Sequence, residues 1–274
     1  MLTTIANGAE IPVLGFGTFR MDAREVATVL PDALRLGFRH VDAAQIYCNE
    51  EAVGAAIAAS GVARHEIFLT TKVWVDNLSP ETFLPSVHDS LRKLGTDYVD
   101  LLLIHWPRGS FIPREVQIRE LNRAHDIGLA RHIGISNFNA TQMREASAMS
   151  SAPLVTNQVE YHPWLSQAKV LAAAADLGMA LTGYYAMADG RSAANPILAR
   201  IGAHHGKSAA QVALRWQIQQ SVVVLTKTAQ RRRLAENLAV FDFALTAHEM
   251  AEIDNLVTPS GRIVDPEELA PAWD

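Results

Sequence analysis

Polar and titratable side chains follow most of the short apolar runs that could form strands in this chain. Asp42 ends one such run with Tyr47 shortly beyond it, and Lys72 and His105 end the next two. Later runs end in hydroxyl, amide, phenol or ammonium groups, namely Ser136, Asn137, Gln158, Tyr184, Thr226, Lys227 and Thr228. Each could be a turn former, a helix cap or a solvated charge. Capping alone is a poor explanation for polar groups that end nearly every run.

Two chemistries would use these residue types differently. A lysine at a strand end, such as Lys72, can attack a carbonyl carbon and form a Schiff base, as in aldolases. His40 and Asp42 alternate onto one side of a strand, as metal ligands would, but a metal needs three or four supported ligands and only His105 offers another. We therefore expect no metal site, while the Schiff-base alternative stays open at this point.

Eight strand-like runs alternate with helical patterns, which is typical of βαβ units and a parallel sheet. The predicted strands are 15–17, 40–42, 67–72, 99–105, 132–136, 155–158, 180–184 and 222–225. Eight strand–helix units in 274 residues favour a closed (β/α)₈ barrel. The carboxyl ends of the strands form the active-site rim of such a barrel, so polar residues distant in sequence should meet at one mouth.

The intervening patterns predict the helices and an additional hairpin. Helices are predicted at 22–36, 50–60, 80–94, 114–127, 140–149, 167–177, 229–238 and 247–256, and two more between 192 and 220 with a break at Gly206. Asn7-Gly8 lies between two short apolar runs and favours a tight hairpin turn. We predict one barrel domain over residues 1–274, with an N-terminal β-hairpin and extra C-terminal helices.

The composition fits a soluble enzyme, with 49% hydrophobic and 19% charged residues. A net charge of -5 argues against sequence-independent nucleic-acid binding, which needs a basic face. Cys48 is the only cysteine, so no intrachain disulfide can form. There is neither a signal-peptide pattern nor an apolar stretch of about 20 residues that could cross a membrane. We expect a cytoplasmic monomer without nucleic-acid or membrane partners.

A Rossmann dinucleotide-binding fold is disfavoured. The nearest approach to its glycine motif, G-x-G-x-x-G, runs from Gly15 to Arg20 and lacks the third glycine. This segment directly follows the predicted hairpin, and no clear acidic residue ends a second strand at the required distance.

Five segments resemble motifs of the aldo-keto reductase family, in order along essentially the whole chain. They are 42–50, 71–74, 102–107, 133–138 and 157–163. The closing segment, 263–274, is similar to that of the family's bacterial 2,5-diketo-D-gluconate reductase B type. The resemblance implies a (β/α)₈ barrel that reduces aldehydes and ketones to alcohols with NADPH. Expected substrates are α-dicarbonyls such as methylglyoxal and keto-sugar acids such as 2,5-diketo-D-gluconate.

Asp42, Tyr47, Lys72 and His105 match the family's catalytic tetrad. The resemblance implies that Tyr47 donates a proton to the carbonyl oxygen while hydride reaches the carbon. A free tyrosine has a pKa of about 10, and the ammonium of Lys72, held by Asp42, is expected to lower the pKa of Tyr47. His105 is expected to be neutral and to orient the carbonyl oxygen. An aldolase would have no use for Tyr47, which favours the reductase.

The resemblance also implies an NADPH site made of two groups of residues. The nicotinamide end would be held by Gly17, Thr18, Asp42, Ser136, Asn137, Gln158 and Tyr184. The adenosine end would be held by Lys227, Thr228, Arg233, Glu236 and Asn237. In the first group the carboxamide is bound by amide and hydroxyl side chains, and Tyr184 stacks on the ring. In the second group Arg233 suits the 2′-phosphate, because a guanidinium binds phosphate through two parallel hydrogen bonds.

Phe19, Trp74 and Trp106, together with His105, are expected to line an apolar substrate mouth. The chain departs from the family pattern at Thr226, which stands where proline is usual, and at 185–190, where many members have Ser-Pro-Leu. Its tail and the loop after Trp106 are also short, and in the family both shape specificity. A non-enzymatic role in binding NADPH is a further alternative that a turnover assay would distinguish.

Overall fold

The structure is a computed structural model that describes residues 2–274. Its strands are β1 (Thr3–Ala6), β2 (Ala9–Pro12), β3 (Leu14–Gly17), β4 (His40–Asp42), β5 (Phe68–Val73), β6 (Val99–Ile104), β7 (Ala130–Ser136), β8 (Leu154–Glu160), β9 (Ala180–Tyr184) and β10 (Val222–Thr226). Strands β3 to β10 form a closed parallel barrel in chain order, in which β10 pairs with β3. The predicted (β/α)₈ fold is confirmed, and each predicted strand overlaps an observed one.

The N-terminal hairpin closes the end of the barrel opposite to the carboxyl ends of the strands. Strand β1 pairs antiparallel with β2, and Asn7 and Gly8 between them have φ values of 44° and 87°. This left-handed backbone is the reason for the Asn-Gly pair. The side-chain amide of Asn7 donates to the carbonyls of Leu154 and Leu177 at 2.7 and 3.0 Å, which ties the turn to the first residue of β8.

Helices cover the outside of the barrel. They are α1 (Ala23–Leu36), α2 (Glu50–Ser60), α3 (Phe83–Leu94), α4 (Arg114–Asp126), α5 (Ala140–Met149), α6 (Ala168–Asp176), α7 (Arg191–Ala194), α8 (Pro196–His205), α9 (Ala209–Gln219), α10 (Arg232–Leu238) and α11 (Ala247–Asp254). A large apolar cluster fills the space between helices and strands, and a smaller one lies inside the barrel beside the hairpin. No helix within residues 2–274 has the length and apolarity needed to cross a membrane.

The region 192–220 contains an additional break that the sequence prediction missed. The break at Gly206 is present, with φ 65°. A second one separates α7 from α8 at Asn195, whose side chain accepts hydrogen bonds from the backbone N–H of Ile197 and Leu198. Pro196 occupies the first position of α8, where its missing N–H has no cost, but it cannot continue α7. The region therefore holds three helices where two were predicted.

Candidate active site

A cavity of about 430 Å³ opens at the carboxyl ends of the barrel strands. Many of the predicted site residues line it, namely Gly17, Phe19, Asp42, Tyr47, Trp74, His105, Trp106, Asn137, Gln158, Tyr184 and Lys227. The predicted residues that do not line it are Thr18, Lys72, Ser136, Thr228, Arg233, Glu236 and Asn237. The strand ends therefore do converge on one cavity, while these seven residues do not border it.

Lys72 lies fully buried behind the cavity wall and connects two of its residues. Its Nζ donates to Asp42 Oδ1 at 2.6 Å, to the carbonyl of Ala43 at 2.9 Å and to Tyr47 Oη at 3.3 Å. The other oxygen of Asp42 accepts from Gln158 Nε2 at 2.8 Å. Burial lowers the pKa of Lys72, and the negative charge of Asp42 opposes this shift. Since Tyr47 accepts from Lys72, its own hydroxyl proton remains available to a ligand.

A short 3₁₀ turn, Gln45–Tyr47, carries Tyr47 from the end of β4 to the cavity. The side chain of Gln45 holds this turn in place: its oxygen accepts from the N–H of Trp74 at 2.9 Å and its amide donates to Ser86 Oγ at 3.1 Å. The ring of Tyr47 packs 5.0 Å from that of Phe19. Gln45 thus positions the phenol and an indole of the wall together, a role that the sequence analysis missed.

The expected lowering of the pKa of Tyr47 is wrong. Burial raises the pKa of Tyr47 well above its ordinary value, and the negative charge of Asp42 raises it further. The ammonium of Lys72, whose own pKa is lowered by burial, does not reverse this direction. The phenol is therefore fully protonated at neutral pH, which is the state a proton donor needs.

His105 is held as a neutral imidazole. Burial lowers its pKa well below the ordinary value, and the positive charge of Lys72 lowers it further, in the direction expected from the sequence. The rings of Trp74 and Tyr47 approach it edge to face, at 5.2 and 5.8 Å between centroids. Its Nδ1 is buried without a hydrogen-bond partner in the described chain. A neutral imidazole in this setting can hydrogen-bond a carbonyl oxygen of a ligand.

A network of amide and hydroxyl groups forms the adjoining part of the wall. Asn137 has a left-handed φ of 66°, and its Nδ2 donates to the carbonyl of His105 at 2.9 Å and to Ser136 Oγ at 3.1 Å. Tyr184 Oη donates to Asn137 Oδ1 at 2.6 Å, while Ser136 Oγ donates to the carbonyl of Gln158 at 2.8 Å. Ser136 therefore supports Asn137 from behind, and Asn137, Gln158 and Tyr184 face the cavity.

The residues predicted for the adenosine end lie after β10, and of the five only Lys227 borders the cavity. Lys227 is exposed and donates to the carbonyl of Arg20 at 2.9 Å, and Arg233 is an exposed residue of α10. Asn237 is buried and donates to Thr226 Oγ1 at 3.0 Å. Proline could not accept this bond, so the unusual Thr226 gives Asn237 a partner. Two further predicted residues make internal contacts: Glu236 accepts from the hydroxyl of Ser208, and Thr228 accepts from the N–H of Gln230.

Arg20 and Tyr185 also line the cavity, although neither was included among the predicted site residues. Arg20 donates from Nη1 to Tyr185 Oη at 2.8 Å, which joins the loop after β3 to the loop after β9. Tyr185, Ala188 and Asp189 have φ values of 60°, 45° and 53°, a left-handed backbone that non-glycine residues adopt rarely. The departure at 185–190 was visible in the sequence, but its partner, more than 160 residues away, was not.

The geometry bears on two alternative chemistries, a Schiff base formed by Lys72 and a metal site. Lys72 does not line the cavity, and its buried Nζ already donates to three oxygen acceptors, which disfavours its attack on a substrate carbonyl. Within residues 2–274, no three His, Cys, Asp or Glu side chains lie in a group that could hold a metal ion. Proton donation to a ligand in the cavity is the chemistry that the arrangement supports.

The chain is similar to known reductases over nearly its whole length. It is 43% identical to methylglyoxal reductase DkgB of Escherichia coli O157:H7, covering 96% of this chain and 99% of that protein. It is 38% identical to the glyoxal reductase of Bacillus subtilis, covering 96% and 95%. A crystal structure provisionally named as a 2,5-diketo-D-gluconic acid reductase B superposes with a TM-score of 0.98 at 60% identity, covering 100% of this chain and 98% of the other.

A family model matches the part of the chain that forms the barrel. Residues 13–258, which span the barrel from β3 to beyond α11, match the model of the aldo/keto reductase family. The structure of the aldose reductase from Schistosoma japonicum also superposes, with a TM-score of 0.91 at 30% identity over 95% of this chain and 94% of the other. The resemblance found in the sequence motifs is therefore confirmed, and the chain belongs to the aldo/keto reductase family.

Proposed function

We propose that the protein is an NADPH-dependent reductase of aldehydes and α-dicarbonyl compounds. One observation carries this proposal: the protonated hydroxyl of Tyr47 faces the cavity, 3.3 Å from Lys72 Nζ and beside the neutral ring of His105. Relatives named as methylglyoxal reductase and glyoxal reductase support the substrate class. The site is complete within one chain, so we also propose a monomer, and the lone cysteine is compatible with the reducing cytoplasm.

The cavity residues fit a nicotinamide cofactor. Asn137 and Gln158 present amide oxygens that can accept from the carboxamide, Tyr184 offers an aromatic face, and Gly17 has no side chain that would obstruct an approach. Gln158 uses its Nε2 on Asp42, so its oxygen remains available as an acceptor. When bound, NADPH supplies the hydride that the carbonyl carbon accepts.

The protein's own groups complete the reduction. His105 hydrogen-bonds the carbonyl oxygen and orients the substrate, which stabilises the negative charge that develops there. Tyr47 Oη transfers its proton to that oxygen, so hydride and proton together convert the carbonyl into an alcohol. Lys72 donates a hydrogen bond to the phenolate that remains, and Asp42 holds Lys72 in position. Because burial raises the pKa of Tyr47, a hydrogen bond from Lys72 to the phenolate favours the transfer.

Aromatic walls favour small and planar carbonyl compounds. Phe19, Trp74 and Trp106 line the cavity, and Phe19 packs against Tyr47. Methylglyoxal demands little of the surrounding loops, because it is small. The similarity to a protein named as a 2,5-diketo-D-gluconic acid reductase B supports reduction of 2,5-diketo-D-gluconate as well, for which we propose the carbonyl at C5.

We expect the purified protein to oxidise NADPH when either methylglyoxal or 2,5-diketo-D-gluconate is added. Loss of NADPH absorbance measures the reaction, and a parallel assay without the carbonyl compound measures background oxidation. NADPH binding is measured separately by quenching of tryptophan fluorescence. Binding of NADPH without turnover of either compound would refute the reductase proposal and favour a non-enzymatic role.

Arg233→Ala is expected to weaken NADPH binding by about tenfold to a hundredfold, or about 1.5–3 kcal/mol, since this is the usual size of a hydrogen bond to a charged group. NADH lacks the 2′-phosphate, so its Kd should hardly change. Arg232→Ala is the matched control, because it removes the same charge from a neighbouring exposed arginine that already bonds Gln230. Equal losses for both cofactors would show that Arg233 does not bind the 2′-phosphate.

A further inference from the structure

The segment after α11 returns to the mouth of the barrel and forms part of the cavity wall. Val264, Pro266 and Leu269 line the cavity beside the residues from the strand ends. We name residues 262–269 the tail wall. The backbone that leads into the tail wall packs closely against the barrel at Gly261, where a Cβ would collide with the carbonyl of Trp164. The backbone N–H of Thr258 donates to the same carbonyl at 3.1 Å, so the chain is closely constrained where it enters the tail wall.

Glu160, the last residue of β8, binds the backbone of the tail wall from inside the barrel. Its side chain is fully buried. Its Oε1 accepts from the N–H of Ile263 at 2.8 Å, and its Oε2 accepts from the N–H of Val264 at 2.8 Å. The Nε2 of His162 approaches Oε1 at 2.8 Å as well. Two consecutive amides of the tail wall therefore hold one buried carboxylate.

Side chains of the tail reinforce this attachment. Arg262 Nη1 lies 3.9 Å from Glu160 Oε2, and the Arg262 guanidinium lies 3.6 Å from the centre of the Trp273 ring. Trp273 Nε1 in turn donates to Asp265 Oδ1 at 2.7 Å. The tail therefore makes contacts within itself on both sides of Ile263 and Val264, whose amides donate to Glu160.

The chemistry of Glu160 makes this attachment strong. A buried carboxylate is costly unless its oxygens are hydrogen-bonded, and bonds to an ionised acceptor are about twice as strong as neutral ones. The tail wall supplies two of the three close donors to Glu160. If the tail wall moved away, the charge would lose most of its partners. Val264 both donates to Glu160 and lines the cavity, so this hydrogen bond fixes the position of a residue of the wall.

We propose that Glu160 is a positioning residue that fixes the tail wall and thereby sets how well carbonyl substrates large enough to reach it are bound. The proposal rests on the proposed function, because it concerns the substrate of that same site. A small compound such as methylglyoxal makes little use of the wall. An aromatic aldehyde such as 4-nitrobenzaldehyde fills more of the cavity and depends on Val264, Pro266 and Leu269.

Glu160→Gln tests the attachment, because glutamine keeps the shape but has a single acceptor oxygen and no charge. Hydrogen exchange at the amides of Ile263 and Val264 should become about tenfold faster or more, the size of one charge-assisted hydrogen bond. KM for 4-nitrobenzaldehyde should rise about threefold or more, while kcat, KM for methylglyoxal and Kd for NADPH stay within about twofold. Glu249→Gln is the matched control: Glu249 also bonds a histidine and a backbone N–H, but in α11 and away from the cavity.

The exchange measurement does not depend on turnover, so it separates this proposal from the proposed function. Unchanged exchange at both amides in Glu160→Gln would overturn the attachment even if the protein is an active reductase. Faster exchange with an unchanged KM for 4-nitrobenzaldehyde would overturn the positioning role. If Glu160→Gln fails to fold, Ile263→Pro removes one donor from the side of the tail and leaves the barrel intact. The exchange rate of Val264 and the same KM comparison then decide.

Discussion

Tyr47→Phe is expected to lower kcat by at least about a hundredfold, because general acid catalysis is typically worth about 10²–10⁴-fold. The change removes only the hydroxyl that lies 3.3 Å from Lys72 Nζ and leaves the ring packed against Phe19. Affinity for NADPH should stay within about threefold, a change of less than 1 kcal/mol, since the phenol is assigned to proton transfer. Steady-state kinetics with one aldehyde and a separate binding titration of NADPH provide both values.

His105→Gln is the comparison that separates the two candidate proton donors. An imidazolium would be the stronger acid, but burial and the charge of Lys72 lower the pKa of His105 and keep its ring neutral. The Gln variant should therefore raise KM and alter substrate preference while some turnover remains. Near-normal kcat in Tyr47→Phe together with complete loss of turnover in His105→Gln would show that the two roles are reversed.

Lys72→Met is expected to destabilise the fold by about 3–5 kcal/mol, the usual cost of removing one partner of a buried ion pair. The side chains of Lys72 and Asp42 are 0% and 4% exposed. Methionine would leave the carboxylate of Asp42 buried with Gln158 as its remaining side-chain donor. Urea denaturation monitored by circular dichroism measures the free energy of unfolding. Catalysis should be lost as well, since Lys72 supports Tyr47.

Two controls test whether the uncompensated charge causes this loss of stability. The double variant Lys72→Met/Asp42→Asn removes both charges and should recover most of the stability, because neutral replacements of buried pairs are often tolerated. Lys93→Met breaks an exposed pair with Asp89 that has the same N–O distance of 2.6 Å, and it should cost less than about 1 kcal/mol. Equal destabilisation in the single and double variants would attribute the loss to packing rather than to charge.

Features that depend on neighbours in sequence were predicted well. The Asn7-Gly8 turn has the left-handed backbone that its residues favour. Helix α1 begins at the expected place because Asp22 and Glu25 form a capping box. The strand-end residues meet at one mouth because parallel strands of a barrel all end on the same rim. The break at Asn195 was also local, and the Asn-Pro signal was overlooked.

Features that depend on distant partners were not predicted. Gln45 bonds the backbone of Trp74, and Glu160 bonds backbone amides more than 100 residues away. No periodicity or motif indicates such pairs, because the contact exists only after the barrel has closed. The pKa of Tyr47 was given the wrong direction for a related reason. Its direction is set by burial and by the negative charge of Asp42, and both become known only from the folded structure.

The burial of Lys72 also affects which side chains its proposed substrates can modify chemically. α-Dicarbonyl compounds are electrophiles that condense with amines and guanidinium groups. The amine of Lys72 is walled off by Asp42, Ala43 and Tyr47 and does not border the cavity, so this chemical damage cannot reach it while the barrel is folded. Lys227 and Arg233 are exposed and lack such a shield. Prolonged treatment with methylglyoxal should therefore weaken the proposed preference for NADPH over NADH before it lowers the turnover proposed for Tyr47.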